Sequence, residues 1–261
     1  MELKRKISGF QRVRRIIIFL WILALPFALI RLSPAAIVFS SRNKILSIGI
    51  IFLVIWFISS FFTGRLYCSI GCPFGAGQDI MAMLLPKRLS PKGRRTMRIL
   101  RYIFFIVWFF PILATIISGG FKSVNLFYPQ SADGSIKIDS LSLASSLLLY
   151  YPISIAIFII LTLVFGNRST CNYFCPMNAL GIIGTKFKNK VRYPSLHLEV
   201  NKKNCVGCKR CDEACPMSLN TYDMVKDENM YNPECILCGS CIEACNKKVI
   251  SYAWKWKKEQ K

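Results

Sequence analysis

The stretch CVGCKRCDEACP, residues 205–216, is answered eighteen residues later by CILCGSCIEACN, residues 235–246. Each reads C-x2-C-x2-C-x3-C. Two-residue gaps let successive thiolates converge from one tight loop. A three-residue gap opens a helical turn and sends the fourth thiolate away from the other three. Zinc also takes C-x2-C pairs, but it needs only two of them and has no use for a third and fourth cysteine at the same spacing twice. Eight cysteines so closely set in polar and basic filler also make a poor disulfide framework. The spacing is that of paired iron–sulfur cubanes.

In that arrangement the first three cysteines of a run hold one cluster and the fourth reaches across to its neighbour. Cys205, Cys208, Cys211 and Cys245 are therefore expected to hold one [4Fe-4S] cluster, and Cys235, Cys238, Cys241 and Cys215 the second. Asn246 stands where the first run has Pro216. That difference is expected to alter the chain exit after Cys245 without removing a ligand.

Working outward, 53% hydrophobic residues and a mean hydropathy of +0.40 coexist with a formal charge of +22. The two are compatible because apolar residues fall in long runs with the cations between them, as in a membrane protein. A basic chain can also mean nucleic acid. No recognition motif accompanies these cations, so no nucleic-acid partner is expected.

Four apolar runs, 16–30, 45–62, 99–118 and 143–165, approach the ~20 residues that a ~30 Å hydrocarbon layer needs. Pro26, Pro111 and Pro152 interrupt three of them. The first run reads as a retained helix rather than a cleaved leader, because no small-x-small site follows it. Arg101 is expected to snorkel from the first turn of the third run. Residues 78–85 suit either a short interfacial helix or an apolar turn against the bundle. The loop between the second and third runs carries Arg65, Lys87, Arg88, Lys92, Arg94, Arg95 and Arg98, whereas the next loop has only Lys122 and Lys137. By the positive-inside rule both termini, the middle loop and the cluster region face the cytoplasm of a multi-pass protein of the bacterial inner membrane. The tail after Ile250, with Trp254 and Trp256 among lysines, is read as a leaflet-resting or solvated segment.

The other four of the twelve cysteines lie in RLYCSIGCP, residues 65–73, and RSTCNYFCP, residues 168–176. Each follows an outside-to-inside span. Each has arginine three positions before the first cysteine and proline just after the second. This is an internal repeat, about 14–90 and 99–190, of helical hairpin plus R-x-x-C-x3-C-P. Cys68, Cys72, Cys171 and Cys175 are expected to meet at the cytoplasmic surface. There they form a four-cysteine metal site, a dithiol relay, or a soft site for copper or iron.

The expected architecture is thus mainly α. Residues 1–192 form a four-helix transmembrane bundle of two hairpin repeats, and 193–261 a cytoplasmic α+β ferredoxin domain of the bacterial 2[4Fe-4S] type. The four spans, GRLYCSIGCPFGA at 64–76, the second C-x3-C-P and the C-terminal pair of cluster runs resemble the NapH/MauN-type membrane ferredoxins. The polyferredoxin parts of NosR-type and CcoG-type proteins are similar. No flavin-binding domain precedes the first span and no further domain follows the cluster runs, which favours the NapH-like likeness. The resemblance implies an electron-transfer subunit of a quinol dehydrogenase system rather than a stand-alone enzyme. Its expected partners are a membrane quinone or quinol and a redox protein: a periplasmic reductase, a cytochrome or a second ferredoxin subunit. A metal-handling membrane protein that reduces or inserts copper or iron is the alternative.

What is missing also excludes. His197 is the single histidine, read as a linker or packing residue, and there is no C-x-x-C-H, so haem ligation lacks its axial groups. The spans hold no acid to relay protons, and no phosphate-cradling glycine motif appears.

Overall fold

The computed structural model describes residues 9–23, 34–84, 91–124, 151–191 and 194–255. Helices dominate. In chain order they are α1 (Gly9–Leu23), α2 (Pro34–Arg42), α3 (Ile48–Thr63), α4 (Leu66–Ile70), α5 (Pro73–Leu84), α6 (Pro91–Ile117), α7 (Tyr151–Phe165) and α8 (Pro176–Val191). A π-type turn, Thr170–Phe174, precedes α8.

Among the described residues one helical segment, Ile99–Ile117 of α6, is long and apolar enough to cross a membrane, and α3 is a shorter apolar helix. The outer parts of the first and fourth runs, with Pro26, lie outside the described residues. Ile45 and Leu46, expected inside the second run, instead form a short strand, β1 (Ile45–Leu46), parallel to β2 (Ser123–Val124). The helix at Pro34–Arg42 was not anticipated. It packs on α6, burying Ile37, Ser40 and Ser41, and Trp108 Nε1 donates to the Pro34 carbonyl at 2.8 Å.

The helical half is apolar on its outside as well as its inside. Ile37, Ile50, Leu53, Trp56, Trp108 and Ile112 make the interior. Yet Val107 (69%), Phe110 (68%) and Ile55 (62%) are turned outward. Contiguous apolar patches on this scale are unusual for a protein surrounded by water.

The repeats interlock. The helix after each cysteine pair packs on the last long helix of the other repeat: α8 on α3, and α5 on α7. Gly181 and Gly184 make the first contact possible, since a Cβ on Gly184 would overlap Ser60 and one on Gly181 would stand 3.1 Å from the Trp56 ring. Segment 78–84 is thus part of α5, with Gln78 and Asp79 buried, and packs against α1 and α7.

The C-terminal unit is α+β. Strand β3 (Ser195–Val200) pairs antiparallel with β4 (Ile250–Lys255), in register from Ser195 with Lys255 to Val200 with Ile250. The tail after Ile250 is therefore a strand as far as Lys255; Trp256 lies outside the described residues. Short helices at Arg210–Glu213, Thr221–Lys226 and Ser240–Ala244 complete the unit over a core of Leu198, Val225, Met230, Leu237, Val249 and Ile250. His197 is buried in β3, its Nδ1 2.9 Å from the Ser195 carbonyl oxygen and its ring stacked on Tyr231.

Candidate iron–sulfur and four-cysteine sites

The two C-terminal runs have the same backbone. Gly207 and Leu237, two residues after the first cysteine of each run, both have positive φ (70° and 53°). So do Lys209 and Gly239 (55° and 73°), just after the second cysteine. Left-handed residues in such loops turn successive N–H groups inward and make an anion-binding concavity. Leu237 N donates to Cys235 Sγ at 3.4 Å, and Val249 N to Cys245 Sγ at 3.5 Å. The exits after the fourth cysteines also coincide. Ser218 and Lys248 have φ of 53° and 51°, and their N–H groups bond the carbonyls of Cys215 and Cys245 at 3.0 and 3.2 Å. Asn246 in place of Pro216 does not redirect the chain.

The cysteines sort into two sets around two cavities. One, of about 210 Å³, is lined by Cys205, Cys208, Cys211 and Cys245. The other is small and lined by Cys215, Cys235, Cys238 and Cys241. The fourth cysteine of each run has crossed to the other run. The first set lies outward, with Cys208 and Val206 exposed, whereas Cys238 and Cys241 are buried.

The four remaining cysteines meet. Cys68, Cys72, Cys171 and Cys175 all line one cavity of about 460 Å³, walled by Phe52, Trp56, Tyr67, Phe104, Trp108 and Phe174. The second cysteine of each pair sits at the mouth of a helix that begins with proline, Pro73 in α5 and Pro176 in α8. Proline suits that first position, and the unpaired N–H groups of the first turn face an anion. Burial pushes the Cys72 thiol up to about 12, with Cys68 and Cys175 adding to it, while the Gly75 N–H pulls the other way. Burial likewise pushes Cys175 up to about 11, against N–H groups of Asn178 and Met177. Four thiolates can persist here only beside positive charge.

That charge comes from four buried arginines related in pairs. Arg14 Nε donates to the Ser69 carbonyl at 3.2 Å, and Arg101 Nε to the Asn172 carbonyl at 2.7 Å. Each thereby holds the residue after the first cysteine of its own repeat. Arg101 does not snorkel: α6 begins eight residues before its apolar segment, so Arg101 lies in the helix interior, and it is buried. Arg168 reaches across the repeats, giving Nη1 to the Cys68 carbonyl at 2.9 Å and Nε and Nη2 to the two oxygens of Asp79 at 2.6 and 2.7 Å. Asp79 also pairs with Arg14. Arg65 gives Nη1 to the Glu234 carbonyl at 3.0 Å, and the Glu234 carboxylate pairs with Arg101 at 3.4 Å.

Sequence reasoning located Arg65 and Arg168 through their register with the cysteines. It missed Arg14, Arg101 and Asp79. Their only signal was a charge inside or beside an apolar run, which is expensive unless partnered.

The C-terminal unit is docked on this layer. Cys68 packs against the cluster of Met217, Leu219, Ile236 and Cys238, which Cys215 and Cys235 also join. Gln11 Nε2 donates to the Cys238 carbonyl at 2.6 Å, Lys188 Nζ to the Leu196 carbonyl at 2.6 Å, and Phe10 packs on Tyr252. Among the described residues no three of His, Cys, Asp and Glu are grouped as ligands of a single metal ion.

Comparison with known proteins agrees with this chemistry. The 4Fe-4S dicluster domain family matches residues 204–250, and the 4Fe-4S binding domain family matches twice, at 47–92 and 148–194. The chain is 25% identical over 202 residues to the ferredoxin-type protein NapH of Escherichia coli, covering 74% of this chain and 63% of that protein. It is 28% identical over 162 residues to the methylamine utilization ferredoxin-type protein MauN of Methylobacillus flagellatus, covering 59% and 49%. The chain thus resembles the 4Fe-4S polyferredoxins of the NapH/MauN type. The uncharacterized protein MJ0750 of Methanocaldococcus jannaschii is 26% identical over 212 residues, covering 79% of each chain. No solved structure matches the chain.

The chain is an iron–sulfur electron-transfer protein, and its donor sets suit the clusters. Each C-terminal cavity has four cysteines and backbone N–H groups turned to its sulfurs. Such clusters supply one-electron carriers whose potentials depend on hydrogen bonds to sulfur and on exposure.

Proposed function

We propose that this chain carries electrons between a soluble redox protein and a quinone pool in the cytoplasmic membrane. Cys205, Cys208, Cys211 and Cys245 hold the outer cluster, and Cys215, Cys235, Cys238 and Cys241 the inner one. Residues 1–192 are the multi-pass anchor. The observation that carries the reading is the packing of Cys68 into the same cluster of side chains as Cys215, Cys235 and Cys238. It puts the inner ferredoxin set against the four-cysteine cavity, so the three cysteine sets follow one another from the surface into the helical half.

The outward apolar faces of α3 and α6 suit lipid. Phe10 and Gln11 of α1 touch the C-terminal unit, so the N-terminus and the ferredoxin lie on one side, as the charge bias requires. The aromatic wall of the cavity, Phe52, Trp56, Phe104 and Trp108, is where a quinol ring would be received. The outer set is rimmed by exposed Lys202, Lys203, Lys209, Arg210, Lys247 and Lys248, which favours an acidic redox partner.

The test is electron equilibration in purified protein placed in lipid nanodiscs. After reduction of the clusters, adding a short-chain quinone should reoxidise them and bleach their EPR signals. A Cys238→Ser variant, which interrupts the inner set, should leave the outer cluster reduced. If both proteins stay reduced with quinone present, or both reoxidise equally, the proposed route fails.

A further inference from the structure

We propose that Cys68, Cys72, Cys171 and Cys175 together hold one [4Fe-4S] cubane shared between the two repeats, a third cluster with half of its ligands from each. The inference deepens the electron-transfer reading and rests on it.

Ligand number comes first. Each repeat offers two cysteines, and neither pair can complete a cubane that takes four thiolates. The fold brings the pairs to one cavity, because α5 and α8 each lean on the other repeat and carry Cys72 and Cys175 at their starts.

Size then separates the possible occupants. Four thiolates on one tetrahedral ion, with metal–sulfur bonds near 2.3 Å, would stand about 3.8 Å from one another. No such grouping exists among the described residues, and the sulfurs instead surround an open space of about 460 Å³. In a cubane each thiolate binds a different iron, so the sulfurs stay apart around a body of several atoms.

Charge is the independent observation. Arg14, Arg65, Arg101 and Arg168 are buried, at 5%, 1%, 2% and 1% exposure; Asp79 pairs with Arg14 and Arg168, and Glu234 with Arg101. Two of these cations, Arg65 and Arg168, line the cavity itself. An uncompensated buried cation is costly. An oxidised cubane core carries two positive charges and its four thiolates four negative ones, so the bound cluster would bring a net charge of minus two. Two disulfides would bring none.

Orphaned donors point the same way. Trp56 Nε1, Arg65 Nε and Thr170 Oγ1 belong to residues lining the cavity, are buried, and have no hydrogen-bond partner. Buried donors are almost always satisfied, and cluster sulfides are acceptors of the kind they lack.

The experiment counts iron in the full chain, purified anaerobically in detergent and reconstituted with iron and sulfide. Wild type should hold about twelve irons, four per cubane. A C68S/C72S variant and a C171S/C175S variant should each retain about eight, with the ferredoxin EPR signals unchanged. Loss of the same four irons from either repeat is the mark of sharing. If each repeat held its own centre, each variant would lose only part of the extra iron. About eight irons in wild type, with all four thiols open to alkylation, would overturn the third cluster while leaving the ferredoxin clusters intact. One extra ion of any metal would overturn it in favour of a mononuclear site. Should the double variants fail to fold, Cys175→Ala alone is read by Mössbauer spectroscopy: a three-iron or missing third cluster supports the proposal, and an unchanged spectrum opposes it. Quinone reoxidation is scored separately, so failure of the third cluster and failure of the electron route remain distinguishable.

Discussion

The two repeats solve one electrostatic problem with acids from different places. In each, an arginine of the first helix holds the carbonyl after the first cysteine: Arg14 on Ser69 and Arg101 on Asn172. In each, a second arginine stands three residues before that cysteine. The anion that ties Arg14 to Arg168 is Asp79, seven residues past Cys72 and inside the helical half. The equivalent position after Cys175 is Ile182. The acid beside Arg101 is Glu234, which belongs to the C-terminal unit and directly precedes Cys235. Asp79 ties the two repeats to each other, since Arg168 belongs to the second. Glu234 ties both to the ferredoxin, through its carbonyl to Arg65 and its carboxylate to Arg101.

Removing each acid in turn is the most direct way to break this comparison. Asp79→Asn leaves Arg14 and Arg168 buried without their counter-ion, since Asp79 is itself only 5% exposed. Breaking a buried ion pair from one side costs about 3–5 kcal/mol, so the unfolding midpoint in detergent should fall steeply. Glu234→Gln should cost less, about 1–3 kcal/mol, because Glu234 is more exposed than Asp79 and its carboxylate stands 3.4 Å from Arg101. Arg65 uses the backbone carbonyl of Glu234, which the substitution keeps. Its effect should appear as faster proteolysis between the two halves rather than as global unfolding. Equal costs at the two acids would remove the distinction.

A second pair of variants compares two glycines of α5. A Cβ on Gly75 would lie 2.8 Å from the Cys68 carbonyl oxygen, while one on Gly77 meets nothing within 4 Å. Gly75→Ala must displace the first cysteine loop and the Arg168 guanidinium bonded to it, at about 1–3 kcal/mol for overpacking. Gly77→Ala should be neutral or stabilising by up to about 1 kcal/mol, the helical preference of alanine over glycine. Thermal unfolding of the two proteins checks the sign.

These variants also mark where the sequence stopped being legible. The ferredoxin half was readable almost to the residue, because its ligands lie within one short stretch and their spacing is dictated by a rigid cofactor. The meeting of Cys68 and Cys72 with Cys171 and Cys175 was legible as repetition. Arg14, Arg101 and Asp79 were not, because the partners that place them lie 55 to 133 residues away and no local pattern announces them. The strand at Ile250–Lys255 was missed for a related reason: WKWKK at 254–258 resembles a membrane-surface tail, and only pairing with Ser195–Val200 makes the first of it a strand. Arg101 was misplaced because helix α6 was started at its apolar part, whereas the helix extends back to Pro91.

Arg65 sharpens the comparison from the functional side. It lines the four-cysteine cavity, and its positive charge favours the thiolates of both Cys175 and Cys235. If both sites hold clusters, Arg65→Gln removes a cation that favours their reduced, more negative states. The potential should fall by about 60 mV, a tenfold change in a one-electron equilibrium. Arg168→Gln should shift the inner ferredoxin cluster less, because that guanidinium is already bound to both oxygens of Asp79. EPR-monitored redox titration separates them. A larger shift with Arg168→Gln would mean that the neutralised arginine, not the open one, tunes the centres.

The smallest effect belongs to the outer end of the molecule. Lys202 and Lys247 are exposed near Cys205 and Cys245, and neither takes part in the arginine network. A double exchange, Lys202→Glu with Lys247→Glu, should leave folding and cluster content alone, since surface charges contribute little to stability. It should slow reduction by an acidic flavodoxin or ferredoxin about threefold to tenfold at low ionic strength, because a basic rim steers an acidic partner. At 1 M salt the screening length falls to about 3 Å, and the variant and the wild type should then react alike. A defect that persists at high salt would place the role of these lysines in the cluster or the fold. One that is absent at low salt would move the docking surface away from the outer cluster, leaving the inner face as the only specific contact the ferredoxin makes.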